Sequence, residues 1–286
     1  MTVSSDGIRR MLVTTAHPDD ESFGPGGTLA KYAAEGTGVY LACATRGEAG
    51  GSDVEDLGAC EDLACKREQE LRCAAAVLGL ADVFMLGYRD SGMAGSPQND
   101  HPNAFVRADT EEVAAKLLEL IRRSRPQVIL TSDPYGGYGH PDHIAIHRAT
   151  YRAWELAQDA LPAAERPQKM YYSAMPRTLI RWAVRLMPLV GRDPSAMGAN
   201  GDINLRDVLE HGIAITTRVN VLAYYDTRQR ASACHASQLS GPGSISGWMP
   251  RWLVRRLGGT DTFHRAFPPF VAGSRLERDL FEGVVS

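Results

Sequence analysis

No apolar run among the 286 residues approaches the roughly 18 that a bilayer-crossing helix requires. The segment Met1–Met11 has no apolar core behind Arg9 and Arg10, so no secretory signal is expected either. Those two absences imply a cytoplasmic protein without stable membrane insertion. Cysteine is scarce: Cys43, Cys60, Cys65, Cys73 and Cys234 make an odd number with no CxxC spacing. Neither a disulfide frame nor a thiolate zinc cluster is therefore expected, and the thiols read as buried or idle. Neither sign of charge dominates. With 31 Lys and Arg against 34 Asp and Glu the net charge is -3, and the basic stripe that a nucleic-acid partner needs is missing. Internal repeats and low-complexity tracts are also absent. What remains is ordinary globular usage, 44% hydrophobic and 23% charged. At about 150 residues per domain the length fits two units, or one large α/β unit with an appendage.

Short apolar runs alternate with helical patterns up to about residue 173. Met11–Thr15, Val39–Ala44, Val83–Leu86, Val128–Thr131 and Met170–Ser173 read as buried strands. After Cys65, residues Leu71, Ala74, Ala75 and Leu78 share one helix face. Asp109 with Glu112 then opens a helix striped by Val113, Leu117, Leu120 and Ile121, and Pro126 stops it. This pattern predicts a Rossmann-like α/β fold: a doubly wound, mostly parallel sheet of order 3-2-1-4-5, helices on both faces, and a small C-terminal lobe. We expect a catalytic domain over residues 1–175 and a lobe shaping the substrate mouth over 176–286. The lobe contains an apolar-basic stretch, Leu179–Val190, and a helix pattern from Val221 to Leu239.

In such sheets ligands sit at the carboxyl ends of the strands where the winding reverses, here after Thr15 and Thr131. Those two loops carry the densest chemistry in the chain. The first reads His17-Pro18-Asp19-Asp20-Glu21 and the second Tyr138-Gly139-His140-Pro141-Asp142-His143. Neutral imidazole and carboxylate suit zinc, and a catalytic site takes three protein ligands with a fourth position left open. One loop can supply a His and an Asp, and the other a His. The surplus carboxylate, imidazole and His-Asp pair are the groups a hydrolase needs for proton transfer and oxyanion stabilisation.

The HPDDE and GHPDH segments resemble the two hallmark motifs of the PIG-L/LmbE family of zinc-dependent N-acetylglucosaminide deacetylases. Arg89–Gly95 and Asp133–Tyr138 look like the branches of that family that act on mycothiol and its precursors. The likeness spans about residues 10 to 150, and beyond that only Ala233–Gln238 is similar to the family's late helix. The resemblance implies that His17, Asp20 and His143 bind one zinc ion and that Asp19 is the general base. It implies His140 as electrostatic catalyst or acid, Asp142 as its support and Tyr138 as a donor to the carbonyl oxygen. Arg67 and Asp90 would hold the sugar and its polar aglycone. The same ligand types also accept Fe²⁺, Mn²⁺, Co²⁺ or Ni²⁺.

The implied substrate is a small N-acetylated amino-sugar glycoside that loses its acetyl group. Alternatives are amide cleavage of a mycothiol-type conjugate, tailoring of a glycosylated secondary metabolite, or a non-catalytic sugar- or nucleotide-binding protein. Self-association is left open. His147, one helical turn after His143, reads as a surface histidine or a partner behind the metal ligands, with a fourth ligand as the alternative. His235 could reach the substrate or pack structurally. Gly24, Gly26 and Gly27 read as letting backbone approach the metal loop. The stretch Trp248–Arg256 reads as a packing element, with a membrane-surface helix as the alternative.

Overall fold

The computed structural model describes residues 7–51, 57–197, 201–239 and 251–285. The apolar runs become the parallel strands β1 (Arg10–Thr15), β2 (Gly38–Thr45), β3 (Asp82–Tyr88), β4 (Val128–Thr131) and β5 (Lys169–Ser173). Two further strands, β6 (Thr217–Asn220) and β7 (Thr260–Phe267), complete a seven-stranded sheet of order β3-β2-β1-β4-β5-β7-β6. Leu12 lies beside Tyr40 of β2 on one side and Ile129 of β4 on the other, so the winding reverses at β1 as expected.

The helices are α1 (Asp20–Phe23), α2 (Gly26–Ala34), α3 (Leu63–Leu78), α4 (Thr110–Ser124), α5 (Gly136–Gly139), α6 (Pro141–Ala160), α7 (Arg177–Leu186), α8 (Leu205–His211), α9 (Tyr225–Cys234), α10 (Ala236–Leu239) and α11 (Arg251–Leu257). They cover both faces of the sheet, and strand alternation divides the core between them. Met11 and Val13 of β1 join Leu29, Leu41, Leu71 and Val221 on one face. Leu12 points the other way, into Leu117, Ile121, Ile146 and Trp154 of α4 and α6. Emptying either layer by one Leu→Ala change removes about 2–5 kcal/mol. Asp109 caps α4 by accepting from the backbone N–H groups of Glu111 and Glu112, at 2.8 and 3.1 Å. The Glu112 side chain does not reach back to it but binds the Tyr88 hydroxyl at 3.0 Å.

Beyond residue 175 the chain returns to the sheet. β7 pairs antiparallel with β5, and β6 pairs antiparallel with β7. Buried Glu277 then pins the C-terminal segment. It accepts from Lys169 Nζ at 2.7 Å, the Tyr171 hydroxyl at 2.7 Å and Thr217 Oγ1 at 3.1 Å. The expected helix over Val221–Leu239 is interrupted: α9 ends at Cys234, and His235, with φ -83° and ψ 53°, turns the chain before α10.

The idle-thiol expectation is corrected. Cys60 pairs with Cys65, and Cys73 of α3 pairs with Cys234 of α9, with Cα separations of 5.5 and 5.9 Å. Cys43 is a buried free thiol. Of the glycines after the first motif, Gly24 and Gly26 lie against the metal loop as expected, where a Cβ would meet the Asp20 carbonyl oxygen at 2.7 Å and the Glu21 carbonyl oxygen at 3.1 Å. A Cβ on Gly27 would strike the Val221 side chain at 2.7 Å, so this residue lets the C-terminal segment, not the metal loop, come close. In the Trp248–Arg256 stretch, Trp248, Met249 and Pro250 lie outside the described residues, and Trp252 is exposed.

Candidate metal centre and active site

The HPDDE loop leaves β1 and turns at once into α1. Asp19, the residue before that helix, has φ 121°, a conformation that side chains with a Cβ rarely adopt. Such strain, about 1–3 kcal/mol, persists only where neighbours hold it. Two groups do so here. The Asp19 backbone N–H donates to Glu21 Oε2 at 3.0 Å, and its carboxylate accepts from Arg67 Nη2 at 3.1 Å. Arg67 also binds the carbonyl oxygens of Pro18 and Gly47, at 2.7 and 2.8 Å, so it knits the motif loop to the loop after β2. Burial and the Asp20 charge push the Asp19 carboxyl up to about 7 against the pull of Arg67.

Asp20 is fixed from behind. Its Oδ2 accepts from the backbone N–H groups of Ala16 and His17, at 3.1 and 2.9 Å, which leaves Oδ1 aimed at His143. Although burial opposes ionisation, His143 and His17 hold the Asp20 carboxyl below the usual carboxylate range.

The second loop is built by β4, α5 and α6. Gly136 takes φ +74° in contact with His143 and Ile144, where any Cβ would strike Ile144 at 2.9 Å. His140 is the N-cap of α6, and its Nδ1 accepts from the Asp142 N–H at 3.2 Å. This cap assigns the proton to Nε2, the nitrogen left to face the site. Burial, with the neighbouring imidazoles His17 and His143, drives His140 down to about 3, so its ring is neutral. Thr150 of α6 bonds Thr14 of β1 at 2.8 Å and locks the helix to the strand that carries the other motif.

The ligand geometry can be tested directly. Donors about 2.1 Å from a tetrahedral ion lie about 3.4 Å apart. His17 Nδ1 and His143 Nε2 are 3.3 Å apart, His143 Nε2 and Asp20 Oδ1 3.3 Å, and His17 Nδ1 and Asp20 Oδ2 3.9 Å. Two imidazole nitrogens and the Asp20 carboxylate thus come together at close to that spacing, the two Asp20 distances being to different oxygens. His17, His140 and His143 form one close group, and His17, Asp90 and Asp142 form a second.

His17 is shared because its two ring nitrogens point opposite ways. Behind it, Nε2 meets Asp142 Oδ2 at 3.3 Å and Asp90 Oδ1 at 3.4 Å. Burial lowers the His17 basicity, but these two carboxylates raise it well above the ordinary value. A carboxylate on the far nitrogen of a ligating histidine fixes its tautomer and strengthens it as a donor.

Several expected roles shift accordingly. The Asp142 carboxylate lies behind His17, not behind His140, which it serves only through its backbone N–H. The reason is geometric: Asp142 is buried in the first turn of α6 and is held toward His17 by the Ser91 N–H at 2.9 Å. Arg67 is 3% exposed and engaged by the loop, so its observed contacts are with Asp19 and backbone, and no free guanidinium faces a sugar. Asp90 is likewise held, accepting from the N–H groups of Gly92 and Ala49. Tyr138 stands with its ring 5.3 Å from that of His143 and 6.0 Å from that of His140. It lines a cavity of about 310 Å³ together with Asp20, His143, Phe23 and Met175. His147 bonds the Ser132 carbonyl at 2.9 Å through Nδ1 and packs on Tyr172.

One pair escapes sequence reading. Glu21 and His235 are fully buried, with Glu21 Oε1 2.7 Å from His235 Nε2. The Glu21 carboxylate also accepts from Ser22 Oγ and from the Asp19 N–H. Burial opposes charge on His235, but Glu21 raises it above the ordinary histidine value. The only signal was the presence of Glu21 inside the motif and of His235 inside the late segment, and nothing local joins them.

Residues 12–154 match the PIG-L family, described as GlcNAc-PI de-N-acetylase. A protein of Acidothermus cellulolyticus named 1D-myo-inositol 2-acetamido-2-deoxy-alpha-D-glucopyranoside deacetylase is 37% identical over 97% of this chain and 96% of its own. One of the same name from Thermomonospora curvata is 43% identical over 82% of each. The structure of N,N'-diacetylchitobiose deacetylase from Pyrococcus horikoshii shares the fold, with a TM-score of 0.58 and 18% identity over 91% of this chain and 84% of that one.

Proposed function

This chain belongs to the PIG-L family, and we propose that it hydrolyses the N-acetyl amide of an N-acetylglucosamine-containing glycoside, releasing acetate and a free amine. The observation that carries this reading is the convergence of His17, Asp20 and His143 at 3.3–3.9 Å beside the braced carboxylate of Asp19. Relatives that match 82–97% of the chain are named for deacetylation of a glucosaminyl-inositol. That glycoside is therefore the substrate class we assign.

His17, Asp20 and His143 would hold one divalent ion, which we take to be zinc from the mixed imidazole-carboxylate set. When bound, such an ion supplies Lewis acidity to the amide carbonyl and acidifies water. The remaining roles belong to the protein. Asp19 accepts a proton as water attacks the carbonyl carbon, its carboxylate held in place for that task by Arg67. The neutral His140 donates from Nε2 to the developing oxyanion, because its Nδ1 is occupied by the α6 cap. Tyr138, with its proton held by burial and nearby carboxylates, is a second donor to that oxyanion. As the C–N bond breaks, the proton taken up by Asp19 passes to the leaving nitrogen. Asp142 and Asp90 keep His17 oriented, and Arg67 keeps Asp19 oriented.

The test is release of the free glucosamine amine, with acetate measured beside it, from N-acetylglucosamine, its inositol glycoside and a mycothiol conjugate, each run with the parent and with Asp19→Asn. We expect the inositol glycoside to be best and the substitution to remove about 10²–10⁴ in kcat while metal content is retained. Acetate from none of the three, with metal bound, would sink the assignment. Cleavage of the conjugate alone would move it to a larger amide.

A further inference from the structure

The segment α7 and the turn that follows it present an apolar surface that nothing among the described residues covers. Leu179, Trp182, Leu186, Leu189 and Val190 are 53%, 54%, 50%, 79% and 74% exposed. The helix already has an inner face, where Met187 is buried and Ile180 and Val184 are partly so, and this second apolar stripe points outward. Leu179, Trp182 and Leu186 follow the i, i+3, i+7 spacing of one line along the helix. Arg177, Arg181 and Arg185 follow i, i+4, i+8 and form a parallel line beside it. With Arg192 they make a segment from Pro176 to Arg192 that contains no Asp or Glu, in a chain whose net charge is -3.

We propose that this face docks on an anionic lipid surface. A tryptophan and leucines flanked by one line of arginines is the arrangement in which apolar side chains enter the headgroup boundary while guanidinium groups reach phosphates. The helix is too short to cross a bilayer, and no described helix is long and apolar enough to do so, so the mode is surface binding. Its position gives the docking a purpose. α7 starts two residues after Met175, which lines the cavity at Asp20, Tyr138 and His143, and it packs on α8, which packs on α5. Docking would hold the cavity mouth beside the membrane.

Co-sedimentation with phosphatidylcholine vesicles, with and without phosphatidylglycerol, tests this using the full chain and no substrate. Its failure is thereby separate from failure of the deacetylase reading. The parent should bind the phosphatidylglycerol vesicles, and less so as salt rises. The variant R177Q/R181Q/R185Q should bind on the order of a hundredfold more weakly, since each basic residue contributes about a factor of five at such a surface. Trp182→Ser with Leu189→Ser should weaken binding as well, while both variants turn over a soluble substrate at the parent rate. Equal binding by the arginine variant, no binding by the parent, or a dimer that the Trp182→Ser, Leu189→Ser variant dissolves would each overturn the proposal.

Discussion

Replacing His235 by alanine tests whether a residue 214 positions from the HPDDE motif supports its strained aspartate. Both members of the Glu21–His235 pair are fully buried, so solvent screens nothing. Removing one partner of a buried ion pair costs about 3–5 kcal/mol. Here the Glu21 carboxylate keeps the Asp19 N–H and the Ser22 hydroxyl, which puts the loss at the lower end, about 3 kcal/mol. At roughly 2–4 °C per kcal/mol for a chain of this size, the Tm should fall by roughly 6–12 °C. Catalysis should fall too. Asp19 at φ 121° relies on Glu21 for its N–H, and a loosened brace should lower kcat about tenfold with KM little changed, a difference of about 1.4 kcal/mol in the barrier.

The pH dependence has a definite sign. The folded-state basicity of His235 is raised, so its stabilisation is fully present below the unfolded value of about 6.5 and declines as pH rises through the raised folded value. The Tm gap between parent and His235→Ala should therefore narrow on the alkaline side of neutrality. Scanning calorimetry across pH, with Glu21→Gln and the double variant, completes a cycle. A Tm loss below about 1 °C, or strictly additive losses from the two single changes, would refute the pairing argument.

Asp142→Asn should weaken metal binding by about 10- to 100-fold, read by competition with a chelating dye, because the carboxylate behind His17 is lost while the ligands stay. Arg67→Met should leave metal stoichiometry intact yet lower kcat, since Asp19 loses its guanidinium partner; an unchanged kcat would remove Arg67 from the active-site account. Reduction of Cys73–Cys234, or Cys234→Ser, opens a link across 161 residues and should cost up to about 5 kcal/mol by the chain-entropy argument, measured as a fall in Tm under reducing conditions.

The parallel half of the sheet was legible because its strands carry their own signal. β1 to β5 are short apolar runs punctuated by helix caps, and their order is that of the common doubly wound sheet. The meeting of the two motif loops was legible for the same reason, since each motif packs its residues within a short span at a strand end. The division of labour inside the site was not. Whether Asp142 faces His17 or His140 depends on the first turn of α6 and on the Ser91 N–H, which no spacing reveals. Glu21–His235 and Cys73–Cys234 join residues 214 and 161 positions apart. β6 and β7 were hidden because their residues, among them Thr217, Asn220, Thr260 and Asp261, lack the continuous apolar run of buried parallel strands. The break at His235 was masked by a sequence that reads as continuous helix.

On the proposed function, one divalent ion held by His17, Asp20 and His143 makes this chain a deacetylase. The most direct test is titration of metal-stripped protein with zinc, followed by acetate release from N-acetylglucosaminyl-inositol. No turnover is expected without metal, with a linear recovery that saturates at one ion per chain and is lost in His143→Ala. Full turnover by the stripped protein, or saturation unaffected by His143→Ala, would contradict it.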